Sequence, residues 1–147
     1  MIQRNELKIG NYVFVKKVDG HINEEGEVLD MFDTGIAYSH FSAESTGRGI
    51  YIKKEIDTKL LMPYGWLDPI PLTEEWFHRF SVTSPFSDER TVIGELLFKN
   101  SQIGLIVCDE NWEPVTGEHL IRYVHQLQNF YLDRTGDILK RNDIQHV

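Results

Sequence analysis

Met62-Pro63-Tyr64-Gly65-Trp66-Leu67-Asp68-Pro69-Ile70-Pro71-Leu72-Thr73-Glu74-Glu75-Trp76-Phe77-His78-Arg79-Phe80 is the stretch on which the fold turns. Proline removes a backbone donor and restricts the residue before it, so 63–71 reads as a junction that neither helix nor strand crosses. A helix start follows at once. Thr73 stands as N-cap, Glu74 and Glu75 occupy the positively polarised first turn, and Leu72 is placed to staple onto Phe77. The helix that follows is only about two turns long, so it must dock its aromatic face to persist.

Upstream, the pattern is β throughout. Leu7-Lys8-Ile9-Gly10-Asn11-Tyr12-Val13-Phe14-Val15-Lys16-Lys17 places a turn-forming Gly-Asn before aromatic and β-branched residues, which predicts a strand entered through a tight turn. Runs at Gly26–Phe32, Ile36–Phe41, Gly49–Lys54 and Thr58–Met62 follow at meander spacing, with a polar loop over Ser42–Gly49. Alternation sets Ile36, Tyr38 and His40 on one side of the third run and Ala37, Ser39 and Phe41 on the other. Such short antiparallel strands are the pattern of a small curled barrel.

Downstream, Arg90–Phe98 and Ile103–Cys108 read as two strands of a hairpin turning at Asn100-Ser101-Gln102. A helix from Ile121 or Tyr123 to about Arg134 then carries Val124, Leu127, Phe130 and Tyr131 as an apolar stripe, with Gly136 as left-handed C-cap. The fold class expected is α+β. It comprises a small N-terminal antiparallel β-barrel-like meander over 1–62, the Pro-rich junction 63–71, and a 72–147 part with a short helix, a β-hairpin and a longer C-terminal helix. The two parts are expected to share one core.

The 147 residues, 41% hydrophobic and 12% aromatic, suffice for a core without disulfide or metal. No apolar run approaches the ~20 residues that span a bilayer, and Met1–Glu6 has no apolar signal core, so a soluble cytoplasmic protein without membrane partners is expected. The single cysteine, Cys108, excludes an internal disulfide and a multi-thiolate metal site. The net charge of −8 opposes nonspecific binding to a polyanion. Residues 1–60 hold eight basic and ten acidic side chains, against seven and thirteen in 61–147. A phosphate-binding surface would therefore belong to the N-terminal half, where Lys16-Lys17 and Lys53-Lys54 could share a face or simply end solvated strands.

Three passages are familiar as a set. Asp68–Trp76, Tyr123-Val124-His125-Gln126-Leu127-Gln128-Asn129-Phe130-Tyr131 with Thr135-Gly136, and Leu7–Val13 resemble a group of short, uncharacterised bacterial proteins found in prophages and other mobile elements. The likeness covers roughly half of the chain. It implies co-occurrence with mobile DNA and carries no catalytic motif.

Asp33-Thr34-Gly35 after Met31-Phe32, with Val92-Ile93-Gly94 farther on, resembles the paired segments of viral-type aspartic proteases. That likeness implies a homodimer in which two Asp33 carboxylates share a proton and activate water. Ile36, Glu95 and the last fifty residues depart from the pattern. The competing reading makes Asp-Thr-Gly the turn between two strands. Cys108 would need a histidine beside it to act as nucleophile, and His40, His78, His119 and His125 carry no local signature; a small buried hydrophobe is the alternative. His78 and His125 read as helix-surface or capping residues, no histidine pair has ligand spacing, and no phosphate loop is present, so no metal and no cofactor are expected.

Trp76 and Tyr131 read as core, whereas Trp66 and Trp112 sit in loop-like surroundings as candidates for a binding surface. The function expected is therefore a non-catalytic binding or assembly protein of mobile-element origin, its partner another protein or a second copy, through Trp66 and Trp112. A nucleic-acid module using Lys16, Lys17, Lys53 and Lys54 is the alternative, and an Asp33 protease the third reading.

Overall fold

A computed structural model of the chain describes residues 2–16, 23–46, 49–82, 89–117 and 120–142, of which 23 and 40–61 are described by backbone alone. The fold is α+β and divides into two compact units, the first running to Ile70 and the second spanning Pro71–Asn142.

The first unit is built on the Gly-Asn turn. Asn11 donates its backbone N–H to the Lys8 carbonyl (3.1 Å), and Gly10 sits at φ 94°, the third position of a type II turn, which a side chain would strain. Asn11 Oδ1 accepts from the Lys8 N–H at 2.8 Å, so the turn is closed from both directions. The chain then enters β1 (Tyr12–Lys16), which pairs with β2 (Asn23–Met31). β3 (Gly35–Thr46), β4 (Gly49–Pro63) and the short β5 (Leu67–Asp68) complete an antiparallel sheet in the order β4-β3-β2-β1-β5. The sheet is open, with β4 and β5 at its edges, so the expected barrel does not close. Its core is formed by Ile2, Leu7, Val13, Val15, Val28, Ile36, Tyr38, Met62 and Leu67, all buried, with Met31 and Tyr64 packed against them.

Two bulges crease this sheet at one level. Between Val28↔Tyr38 and Asp30↔Ala37, β2 carries one extra residue, Leu29. Between Tyr38↔Asp57 and Ala37↔Leu61, β4 carries three, Thr58 to Leu60. Both flank the same Ala37–Tyr38 step of β3, and bulged strands bend where the ladder is interrupted.

The passage 63–71, expected as a junction, contributes to the first unit. Tyr64–Trp66 form a 3-10 turn, and Leu67 and Asp68 pair with Val15 and Phe14 of β1. Ile2 donates its N–H to the Leu67 carbonyl (3.3 Å), tying down the start of the chain. The division between the units falls between Ile70 and Pro71.

The second unit contains α1 (Glu74–Arg79), β6 (Arg90–Ile93), β7 (Leu96–Ser101), β8 (Gly104–Cys108) and α2 (Val124–Thr135). Thr73 is the N-cap of α1, but its side chain makes no capping bond; its carbonyl accepts from Trp76 and Phe77 instead. The helix ends in a Schellman arrangement. Val82 donates to the Phe77 carbonyl and Ser81 to that of His78, with Ser81 at φ 58° where glycine is usual.

The run Arg90–Phe98, expected as one strand, is two. Ile93 pairs with Leu96 across Gly94-Glu95, and Gly94 at φ 60° makes this the II′ corner of a tight hairpin. The expected hairpin is thus a three-stranded sheet, β6-β7-β8. One face buries Thr91, Ile93, Phe98, Leu105 and Val107, and Phe98 meets Phe130 of α2 edge-on at 5.7 Å.

α2 ends as expected at Gly136 (φ 81°), whose N–H reaches the Leu132 carbonyl at 2.8 Å. Its buried stripe is rotated from the expected one: Val124, His125, Leu127 and Gln128 are buried, while Phe130 and Tyr131 are half-buried. His125, expected on the helix surface, is buried and stacks on Tyr123. The wholly buried Gln128 donates Nε2 to the Leu139 carbonyl at 2.9 Å, and Asn142 donates to the carbonyls of Arg79 and Phe80. These bonds lash residues 139–142 to both helices of the unit. Between them Arg141 is buried, with its guanidinium 5.3 Å from the Trp76 ring centre.

Candidate binding surface

Trp112 lies in the loop that follows β8. Asp109 organises this loop: its Oδ1 accepts from the N–H groups of Asn111 (2.9 Å) and Glu113 (3.0 Å), and its carbonyl accepts from Trp112 (3.0 Å). The chain then returns along β8, where Val115 donates to the Val107 carbonyl and Pro114 stands opposite Cys108. Closing this turn puts Trp112 at φ 61°, the left-handed region that a side chain makes costly by roughly 1–2 kcal/mol. Its half-buried indole lies under the Arg90 guanidinium, 4.6 Å from the ring centre.

Arg90 belongs to the outer face of the three-stranded sheet. Strand alternation puts Arg90 and Val92 outward while Thr91 and Ile93 face the core. Register continues two rows across that face, Val92–Leu97–Cys108 and Arg90–Lys99–Ile106. Val92 is 39% exposed, Leu97 and Ile106 are half-buried, and Ile103 at the β7–β8 corner is 64% exposed. The sequence offered Val92 only within the protease likeness, and Arg90 and Ile103 only as strand residues, although alternation within a four-residue edge strand would have shown which of 90–93 face outward once the corner at Gly94 was placed.

The other site residues are scattered. Trp66, 40% exposed, ends the 3-10 turn after Pro63, near the β2–β3 hairpin end, where the Tyr64 hydroxyl donates to the Phe32 carbonyl at 2.7 Å. Lys16 closes β1, with Nζ 3.4 Å from Asp68 Oδ2. Lys17 lies outside the described residues. Lys53 and Lys54 are consecutive in β4, opposite Ser42 and Phe41, so the pleat assigns them to opposite faces. No single face collects this second pair.

Asp33 stands at the tip of the β2–β3 hairpin, its side chain almost wholly exposed and 2.9 Å from Arg4 Nη1. The glycine of Asp-Thr-Gly has a packing reason: a Cβ on Gly35 would fall 2.2 Å from the Met62 carbonyl oxygen. Gly94, the second half of the protease likeness, is the β6–β7 corner in the other unit. Cys108 is buried, and its thiol sits 3.5 Å from the Ile106 carbonyl as donor. His78 is exposed, 3.9 Å from Glu74 of the preceding turn. His40 is described by backbone alone, and His119 lies outside the described residues.

Among the described residues no three His, Cys, Asp or Glu side chains gather as a metal-holding group, and no helix is long and apolar enough to cross a membrane. Comparison with protein-family models, with curated proteins and with solved structures returned no match.

Proposed function

We propose that the chain is a non-catalytic binding or assembly protein of mobile-element origin, and that it docks a protein partner through the outer face of β6–β8 around Trp112. The observation that carries this reading is the Trp112 backbone. A half-buried indole lies beneath a guanidinium at a backbone position, φ 61°, that glycine would take without strain, so the turn bears a backbone cost to present tryptophan there. Tryptophan and arginine are the residue types that dominate the centres of protein interfaces, and the half-exposed Leu97 and Ile106 with the more exposed Val92 supply an apolar surround. The mobile-element origin rests on the resemblance of Leu7–Val13, Asp68–Trp76 and Tyr123–Tyr131 with Thr135-Gly136 to the prophage-borne group.

The test is affinity capture from a bacterial lysate with wild-type chain, Trp112→Ala and Arg90→Ala, each checked for fold by circular dichroism. A partner retained by the wild type and released by both variants is the expected result. Identical captures by all three chains would remove the assignment.

A further inference from the structure

We infer that the partner of the outer β6–β8 face is an extended acidic segment of another protein, which seats a carboxylate on Lys99 and an apolar side chain beside it. The inference rests on the Trp112 reading and deepens it by naming the chemistry of what docks.

Lys99 is the decisive residue. It stands directly opposite Arg90 in the β6–β7 register, and strand alternation sends both side chains outward. The residues that close a two-residue hairpin exchange hydrogen bonds, as Ile93 and Leu96 do here. Alternation along the ladder then makes Arg90↔Lys99 a pair of the closer, non-hydrogen-bonded kind. Like charges set face to face there destabilise the sheet. Arg90 is drawn over the Trp112 ring. Lys99 is half-buried, and among the described residues no carboxylate forms an ion pair with it. Acid is not scarce in this unit, since residues 71–142 hold eleven acidic and seven basic side chains. A cation pair standing on an apolar face of an acidic unit is complementary to a negative group supplied from outside.

The surround selects a peptide over a polyanion. Leu97, beside Val92, lies two residues along β7 from Lys99, roughly 7 Å away on the same face. A strand laid along β7 has the same pleat spacing, so it brings an acidic side chain to Lys99 and an apolar one, two positions on, to Val92 and Leu97. The pattern required is acidic-x-apolar, in either chain direction. Glu95 at the β6–β7 corner and Glu110 and Glu113 in the Trp112 loop are exposed on the elements that bound this face. They confine the positive potential to the Arg90–Lys99 row, which suits an isolated carboxylate and opposes a continuous run of phosphates.

Selection from a displayed library of short random peptides on the immobilised full chain tests this. Enrichment of acidic-x-apolar sequences is expected, and a Lys99→Glu chain should lose the acidic preference. The leading acidic peptide, titrated in solution, should bind Lys99→Glu roughly tenfold or more weakly than wild type. That substitution relieves the like-charge pair, so it spares the fold, and circular dichroism verifies this. No enrichment, a consensus without an acid, or the same consensus from both chains overturns the inference. So does a Lys99-dependent shift of an oligonucleotide probe with no peptide enriched, which assigns the pair to phosphate. A captured partner that Trp112→Ala and Arg90→Ala release and Lys99→Glu retains would remove the acidic segment and leave the Trp112 surface standing.

Discussion

Replacing Gly35 by alanine distinguishes a scaffold role for Asp33-Thr34-Gly35 from a catalytic one. The added Cβ would meet the Met62 carbonyl oxygen at 2.2 Å, the Met62 carbonyl carbon at 2.7 Å and Pro63 Cα at 3.0 Å. All three belong to the backbone of β4, so no side-chain rotation relieves the clash, and the strand must retreat by about 1 Å to reach ordinary contact. Its retreat drags the Ile36↔Met62 pair, both of whose side chains are buried in the first unit's core. Overpacking of this kind costs about 1–3 kcal/mol, and the backbone origin of the clash points to the upper end. A loss of that size lowers the thermal midpoint by several degrees to on the order of 10 °C. Urea and thermal denaturation followed by circular dichroism give the global effect, and hydrogen exchange at the Ile36 amide gives the local one. Asp33→Asn, by contrast, removes only an exposed ion pair with Arg4 and should change stability by less than about 0.5 kcal/mol. The reasoning is refuted if Gly35→Ala keeps the wild-type midpoint, and a catalytic role returns if Asp33→Asn abolishes a peptidase activity of the wild type.

Ser81→Gly should stabilise the second unit by about 0.5–1 kcal/mol, because glycine takes the φ 58° of the Schellman position without the penalty serine bears; a raised urea midpoint is the readout. Gln128→Ala should cost about 2–3 kcal/mol, since it leaves a buried gap and strips the Leu139 carbonyl of its donor. Its specific sign is faster hydrogen exchange at the Asn142 amide, which donates to Arg79, and unchanged exchange there would show that Gln128 does not hold the C-terminal segment.

The elements legible in the sequence were those whose cause is local. Gly10-Asn11 announces a turn because one position must accept positive φ, and Gly136 announces a helix end for the same reason. Ser81 and Trp112 occupy the same backbone region without the residue that advertises it, so neither turn could be placed from composition. The Gly94-Glu95 corner was hidden inside a run that is apolar on both sides of it, where a single strand and a tight hairpin look alike. The pairing of Leu67-Asp68 with β1 joins segments about fifty residues apart, through a Pro-rich passage that suggests only interruption.

His125 and Gln128 illustrate a different limit. Polar residues on a helix read as its wet face, yet Gln128 is buried because a chain segment eleven residues later supplies the carbonyl it needs. The candidate surface was half legible for the same reason. Trp112 stood out as a loop tryptophan, whereas its Arg90 partner depends on the β6–β7 corner and the loop brought together by the fold. The lysine pairs show the converse: adjacency in sequence suggested a shared patch, and adjacency along a pleated strand is what divides Lys53 from Lys54.

The paired bulges at the Ala37–Tyr38 step act as a lock on sliding. A strand that slips by two residues keeps its inward and outward alternation, which is how sheet registers drift, but here β2 and β4 would each have to carry a bulge to a new place at once. The hairpin beyond the crease is thereby insulated from the packing behind it. A change of length or sequence in the β3–β4 hairpin beyond the crease should therefore leave the register of the core strands in place.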